Sequence, residues 1–334
     1  MYTSYRSILK ESIKISWKNR WLWFFGLFAV ALGGGGEFNI LQKNILAVQD
    51  QSIYLSDIRS VFAQGSIGAW LLTFIEVVRN LNFISVITIL LVFIVALFLL
   101  WLAVVSQGGL ISGAFRRYKG ETASFAESWR RGLSKFWNVL WLNISGKVLT
   151  YLWLVLLGLP FVYFFLKTQN LAWQWGLLFV SFCIFVPFTI ILAFLVKYAV
   201  ISVVIKNNGF KLAVKESWKL FTKNWVVSVE MAIIFFLIDI VFGLGVLAIL
   251  IILVSPFAVV GMIFYSMQIV PLLWLVTAIA LTILMVGLFT LGAFYSTFKI
   301  TAWVIFFNHL SEGIVIPRIL HFIAWFTGKK RLKK

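Results

Sequence analysis

The chain has 334 residues, of which 62% are hydrophobic and only 12% charged, with a mean hydropathy of +1.01. Its apolar runs reach the ~20 residues needed to cross a ~30 Å hydrocarbon core, so the composition predicts an all-α integral membrane protein and excludes a soluble core with a polar face. The net charge of +18 would suggest nucleic acid in a soluble protein, but here the cations sit in short segments between apolar runs and act as a topology signal.

In chain order, residues 1–19 form a basic amphipathic segment in which Lys10, Lys14 and Lys18 recur every fourth residue beside Leu9, Ile13 and Trp17. A first span is expected at 20–36. The stretch Ala29-Val30-Ala31 resembles a signal-peptidase site, but the long amphipathic segment before it is unlike a short n-region, so the span reads as uncleaved. The four glycines Gly33 to Gly36 end this span, and no Lys-Ser/Thr pair follows to make a phosphate-binding loop. Residues 37–82 form the longest connection, with helical apolar spacing that suggests amphipathic helices on the outer leaflet or over the bundle.

Five further spans follow at about 83–107, 138–166, 172–205, 225–254 and 272–307, six in all. Pro160, Pro187, Pro256 and Pro271 mark places where helices bend or stop. The segments 121–137 and 209–224 repeat the basic amphipathic pattern, with Arg130, Arg131 and Lys135 in one and Lys211, Lys215, Lys219 and Lys223 in the other. Residues 308–334 form a basic tail. The connections on one side of the six spans hold 22 Lys and Arg against 4 on the other. By the positive-inside rule both termini are then cytoplasmic, in the inner membrane of a bacterium.

An internal repeat organises the chain. Lys10-Glu11-Ser12-Ile13-Lys14 with Lys18-Asn19 matches Lys215-Glu216-Ser217-Trp218-Lys219 with Lys223-Asn224 at a constant offset, and Glu127-Ser128-Trp129-Arg130 is a looser third copy. Each copy precedes a span, so residues 1–334 read as a single polytopic domain of three hairpin-like units, each led by an amphipathic helix lying in the inner interface. The exposed cations Lys10, Lys14, Lys18, Arg130, Arg131, Lys211, Lys215, Lys219 and Lys223 are candidate contacts for anionic lipid headgroups, or simple topology anchors.

Five ionisable residues fall within spans: Lys147, Lys197, Glu230, Asp239 and Lys299. Each would cost ~2.5 to 3.5 kcal/mol at the centre of an isolated helix, so each should face protein or water. Lys197 and Lys299 lie near the cytoplasmic ends and are expected to snorkel. Glu230 matches Lys197 in depth, which suggests an ion pair across adjacent spans. Asp239 lies ~21 Å beyond Trp225 and on the opposite helix face from Glu230, so the two do not form a paired-carboxylate site. Asp239 is either a protonatable or solute-coordinating group or a neutral carboxyl bonded to nearby backbone.

Remaining candidates are weaker. Cys183 reads as a packing residue. His309 and His321 lack the spacing of a helical metal site, and no cofactor is expected. The Gly109 and Gly113 pair suits either a close helix approach or a hinge.

The stretch Ser106-Gln107-Gly108-Gly109-Leu110-Ile111 through Ser124-Phe125-Ala126-Glu127-Ser128-Trp129, echoed at Glu216-Ser217-Trp218, resembles a broad group of bacterial six-span proteins. That group includes the membrane domain attached to some glycerophosphoryl diester phosphodiesterases. The resemblance implies a helical membrane domain without catalytic residues, because the soluble phosphodiesterase part has no counterpart here. Two functions follow as expectations: a non-enzymatic lipid-contacting scaffold or partner subunit, or a small-solute or lipid transporter using an intramembrane carboxylate.

Overall fold

The computed structural model describes residues 5–30, 82–167 and 171–313, and the described residues outside turns are helical throughout. In chain order the helices are α1 (Tyr5–Lys18), α2 (Leu22–Ala29), α3 (Phe83–Tyr118), α4 (Phe125–Ser134), α5 (Phe136–Lys167), α6 (Leu171–Lys206), α7 (Phe210–Lys223), α8 (Trp225–Ser266) and α9 (Val270–Glu312). Five of them, α3, α5, α6, α8 and α9, are long and apolar enough to cross a membrane. The sixth span expected at 20–36 is represented among the described residues by α2, whose eight residues rise only ~12 Å. Most of the 37–82 connection and the tail beyond Gly313 lie outside the described residues.

Three helices carry proline in their interior, Pro160 in α5, Pro187 in α6 and Pro256 in α8, and each continues past it. Pro271 sits in the first turn of α9, where a missing N–H leaves no helical bond unmade. The turn before it places Gln268 at φ 56°, and α9 ends on left-handed Gly313, whose N–H caps the last turn.

The repeated motif has a specific structural meaning. Its serine lies on the buried face of each amphipathic helix: Ser12, Ser128 and Ser217 are all sealed from solvent. Ser12 donates to the Ile8 carbonyl and Ser217 to the Ala213 carbonyl, both at 2.7 Å, so a small polar side chain satisfies itself one turn back and lets a neighbouring helix approach. The repeat asparagines end the helices in the same way, Asn19 donating to the Ile15 carbonyl at 2.8 Å and Asn224 to the Leu220 carbonyl at 3.1 Å. At the third copy, Ser124 and Glu127 form a reciprocal capping box that starts α4.

The chain divides into two compact units, one of residues 1–34, 103–140 and 197–334, the other of 35–102 and 141–196. In the second unit α5 and α6 meet where Trp153 stacks on Phe188 at 4.4 Å between ring centroids. The first unit holds most of the buried core. Here α9 is central, with Trp303, Phe306 and Phe307 fully enclosed. Gly26 of α2 lies so close to Ala293 and Thr297 of α9 that no side chain fits between them. Gly109 and Gly113 serve close approach to Phe25, Trp21 and Leu22, within a helix α3 that runs on unbroken to Tyr118. Gly132 of α4 crosses α3 backbone to backbone at Val105 and Gly109.

Within this unit α1 packs along α9: Tyr5 meets Phe306 at 6.5 Å and Trp17 meets Phe294 at 5.5 Å, ring centroid to centroid. Both pairs are twelve residues apart on their helices, a rise of ~18 Å on each, so the two helices run antiparallel side by side. The face buried there is Ile8, Ser12 and Ile15 rather than the Leu9, Ile13 and Trp17 stripe, of which Ile13 and Trp17 are exposed.

Candidate functional site

The sequence-selected ionisable residues fall into two groups in the first unit, with Lys147 alone on an exposed face of α5. The antiparallel hairpin of α8 and α9 brings Asp239 against Lys299, with Nζ 2.8 Å from Oδ2 and 3.1 Å from Oδ1. The Tyr295 hydroxyl donates to the same carboxylate. Tyr295 and Lys299 are four residues apart and therefore on one helix face, which lets one helix supply both donors. Phe242 stacks on Tyr295 at 3.8 Å, and Lys299 lies 5.9 Å from the Phe235 ring centroid, so apolar rings close the site above and below.

Lys299 does not snorkel: only 4% of its surface is exposed. A buried ammonium needs an anion, and Asp239 supplies it, which also answers how an apolar helix carries a carboxylate. The reading of Asp239 as a neutral carboxyl bonded only to nearby backbone is replaced by this pair.

Glu230 and Lys197 belong to a second cluster nearer the start of α8. Glu230 is buried and accepts the Tyr5 hydroxyl of α1, a link between the N-terminal helix and α8 that no sequence spacing signalled. Lys197 is half-buried with its ammonium 4.0 Å from the Trp303 ring centroid, a cation–π contact. Its neighbour Tyr198 donates to Ser228 at 2.8 Å, so α6 and α8 are adjacent at this level. The two carboxylates take different partners, in keeping with their opposite helix faces.

The basic helices present a third feature. Lys10, Lys14, Lys18, Arg130, Lys211, Lys215, Lys219 and Lys223 are all exposed, while Arg131 is partly buried and reaches the Val204 carbonyl at 3.4 Å. The repeat glutamates of α4 and α7 neutralise cations in the last turns of preceding helices: Glu127 accepts from Arg116 at 2.6 Å and Glu216 from Lys206. The Ser124 backbone N–H and Arg116 hold the Glu127 carboxyl below its usual range. Burial opposes the charge on Glu216, but Lys206, Ser202 and Asn208 outweigh it and its carboxyl is also held low.

Among the described residues no group of His, Cys, Asp or Glu could hold a metal ion. The fold and these sites define a multi-pass, all-α membrane protein with a buried ion pair and exposed basic helices. No family model, curated protein or solved structure matches the chain.

Proposed function

We propose that the protein is a non-enzymatic scaffold or partner subunit of a bacterial inner membrane, contacting lipid through apolar helix faces and anionic headgroups through its basic helices. The observation that carries this reading is the repeated polarity of α1, α4 and α7. Each buries the motif serine against protein and turns cations outward, leaving a positively charged surface. A negative leaflet attracts such cations by ~1 kcal/mol each.

Transport through an intramembrane carboxylate is the second reading, and the Asp239, Lys299 and Tyr295 cluster is what favours it. The scaffold reading is preferred because the Asp239 carboxylate is already engaged by a lysine and a tyrosine. Charge reversal of Lys18, the last exposed cation of α1, should lower the preference for anionic over neutral nanodiscs. Unchanged preference would overturn headgroup contact by α1. Solute flux into proteoliposomes that disappears in Asp239→Asn would move the assignment to transport.

A further inference from the structure

Between Asp239 and Lys299 the sequence holds 59 residues without one Asp, Glu, Lys, Arg or His. These build the distal halves of α8 and α9, and their surroundings differ sharply from those of the proximal halves. From Val270 to Gly292 no residue of α9 is buried, whereas Ala293 to Leu310 forms the centre of the core. Along α8, Gly261 is the one buried residue after Phe235. Exposed distal side chains are large and apolar, with Met262 72% and Val286 60% exposed.

The serine and threonine hydroxyls of the distal halves are closed on themselves. Thr277, Thr282 and Thr290 each donate to the carbonyl four residues back, and Ser255 and Ser266 to the carbonyl three back. Hydrocarbon demands this, since it offers no other partner.

The upright α1 adds an independent limit. Arg6, Lys10, Lys14 and Lys18 are all exposed and follow its length at four-residue intervals. Because α1 runs beside α9 from Phe306 to Phe294, these cations span ~18 Å of the height of the proximal half, too far for snorkelling to lift them all out of hydrocarbon. At the upper end of α1 stand Trp17 and Trp23, both against Phe294, the kind of ring that gathers at a membrane interface.

We infer that the hydrocarbon core surrounds only the distal halves of α8 and α9, and that its basic-side edge lies at the level of Asp239, Tyr295 and Lys299. The lengths agree. Residues 270–292 rise ~34 Å and 240–266 rise ~40 Å, against a ~30 Å core plus an outer headgroup layer. Placed from Trp225 instead, a ~30 Å core would end near residue 245 and leave ~30 Å of uncharged, apolar hairpin in water. The proximal halves therefore form a packed bundle on the basic side of the bilayer. Of the α1 cations, Lys18 stands at headgroup level, while Lys10 and Lys14 face water.

Spin labels at exposed positions of α8 and α9 test this placement in nanodiscs. In a Cys183→Ser background, Met262→Cys and Val286→Cys should be accessible to oxygen and shielded from a water-soluble nickel complex. Trp225→Cys and Ile233→Cys should show the reverse. Oxygen accessibility at Ile233→Cys equal to that at Val286→Cys would overturn the inference, as would nickel accessibility at Met262→Cys. A measurement on the unaltered protein stands beside it: in nanodiscs, a charged amine reagent should modify Lys10 and Lys14 at rates like those in detergent, and protection by more than about tenfold would overturn the inference.

Discussion

Asp239 and Lys299 are 60 residues apart in the chain and 2.8 Å apart in the structure, joined at the point where the α8–α9 hairpin passes from enclosed to exposed. Each makes the other tolerable in an apolar setting. Removing one partner leaves the other charge buried, so Lys299→Met or Asp239→Leu alone should destabilise by ~3 to 5 kcal/mol. The double variant Asp239→Leu with Lys299→Met should recover most of that loss. Thermal unfolding in detergent across the double-mutant cycle checks this, and additive losses would show that the pair is not coupled.

Glycines in the core differ from glycines outside it. Gly26→Val forces a side chain onto Thr297 and Ala293 and should destabilise by ~1 to 3 kcal/mol or more. Nothing lies within 4 Å of a Cβ built on Gly243, so Gly243→Ala should instead stabilise α8 by ~0.5 to 1 kcal/mol. Apparent melting temperatures of the two variants should move in opposite directions.

In α1 and α7 the motif serine is a spacer whose polarity is satisfied within its own helix. Ser217→Ala removes a hydroxyl and its own helix bond together and should change stability by less than ~1 kcal/mol. Ser217→Leu overfills a fully buried position and should cost ~1 to 3 kcal/mol. Equal melting temperatures for the two would mean that α7 does not seat on this residue.

Glu216 ties α7 to the end of α6 through Lys206, Ser202 and Asn208. Because its folded-state carboxyl is held below the ordinary value, its contribution is present above the unfolded value and fades as pH falls through the folded one. Wild-type protein should therefore lose more stability on acidification than Glu216→Gln does. The difference at neutral pH should be ~1 kcal/mol, as for other partly exposed ion pairs. Melting curves at stepped pH compare the two directly.

Headgroup contact should be concentrated where the basic helices approach the bilayer. Charge reversal of Lys18 and Arg20, next to Trp17 and Trp21, should reduce the preference for anionic nanodiscs more than reversal of Lys211, Lys215 and Lys219. A larger effect from the α7 set would place that helix against the leaflet.

Composition and spacing by themselves determined the helical membrane class, because ~20 uncharged apolar residues have few alternatives to crossing a bilayer. The same local signals marked the three amphipathic helices and their repeat, since capping, i to i−4 bonding and a 3.6-residue apolar stripe are all short-range properties. Beyond that range the sequence was silent. The sequence pointed to Leu9, Ile13 and Trp17 as the apolar stripe of α1, but in the fold Ile13 and Trp17 are exposed and the face packed on α9 holds Ile8, Ser12 and Ile15. Likewise Lys299 looked like a residue able to reach an interface, and depth counted from Trp225 gave no hint that the opposing helix brings Asp239 to it. Tertiary structure decided these points because a burial pattern records that a face is hidden and not what hides it, and because a charge's cost depends on a partner whose distance in sequence has no local trace.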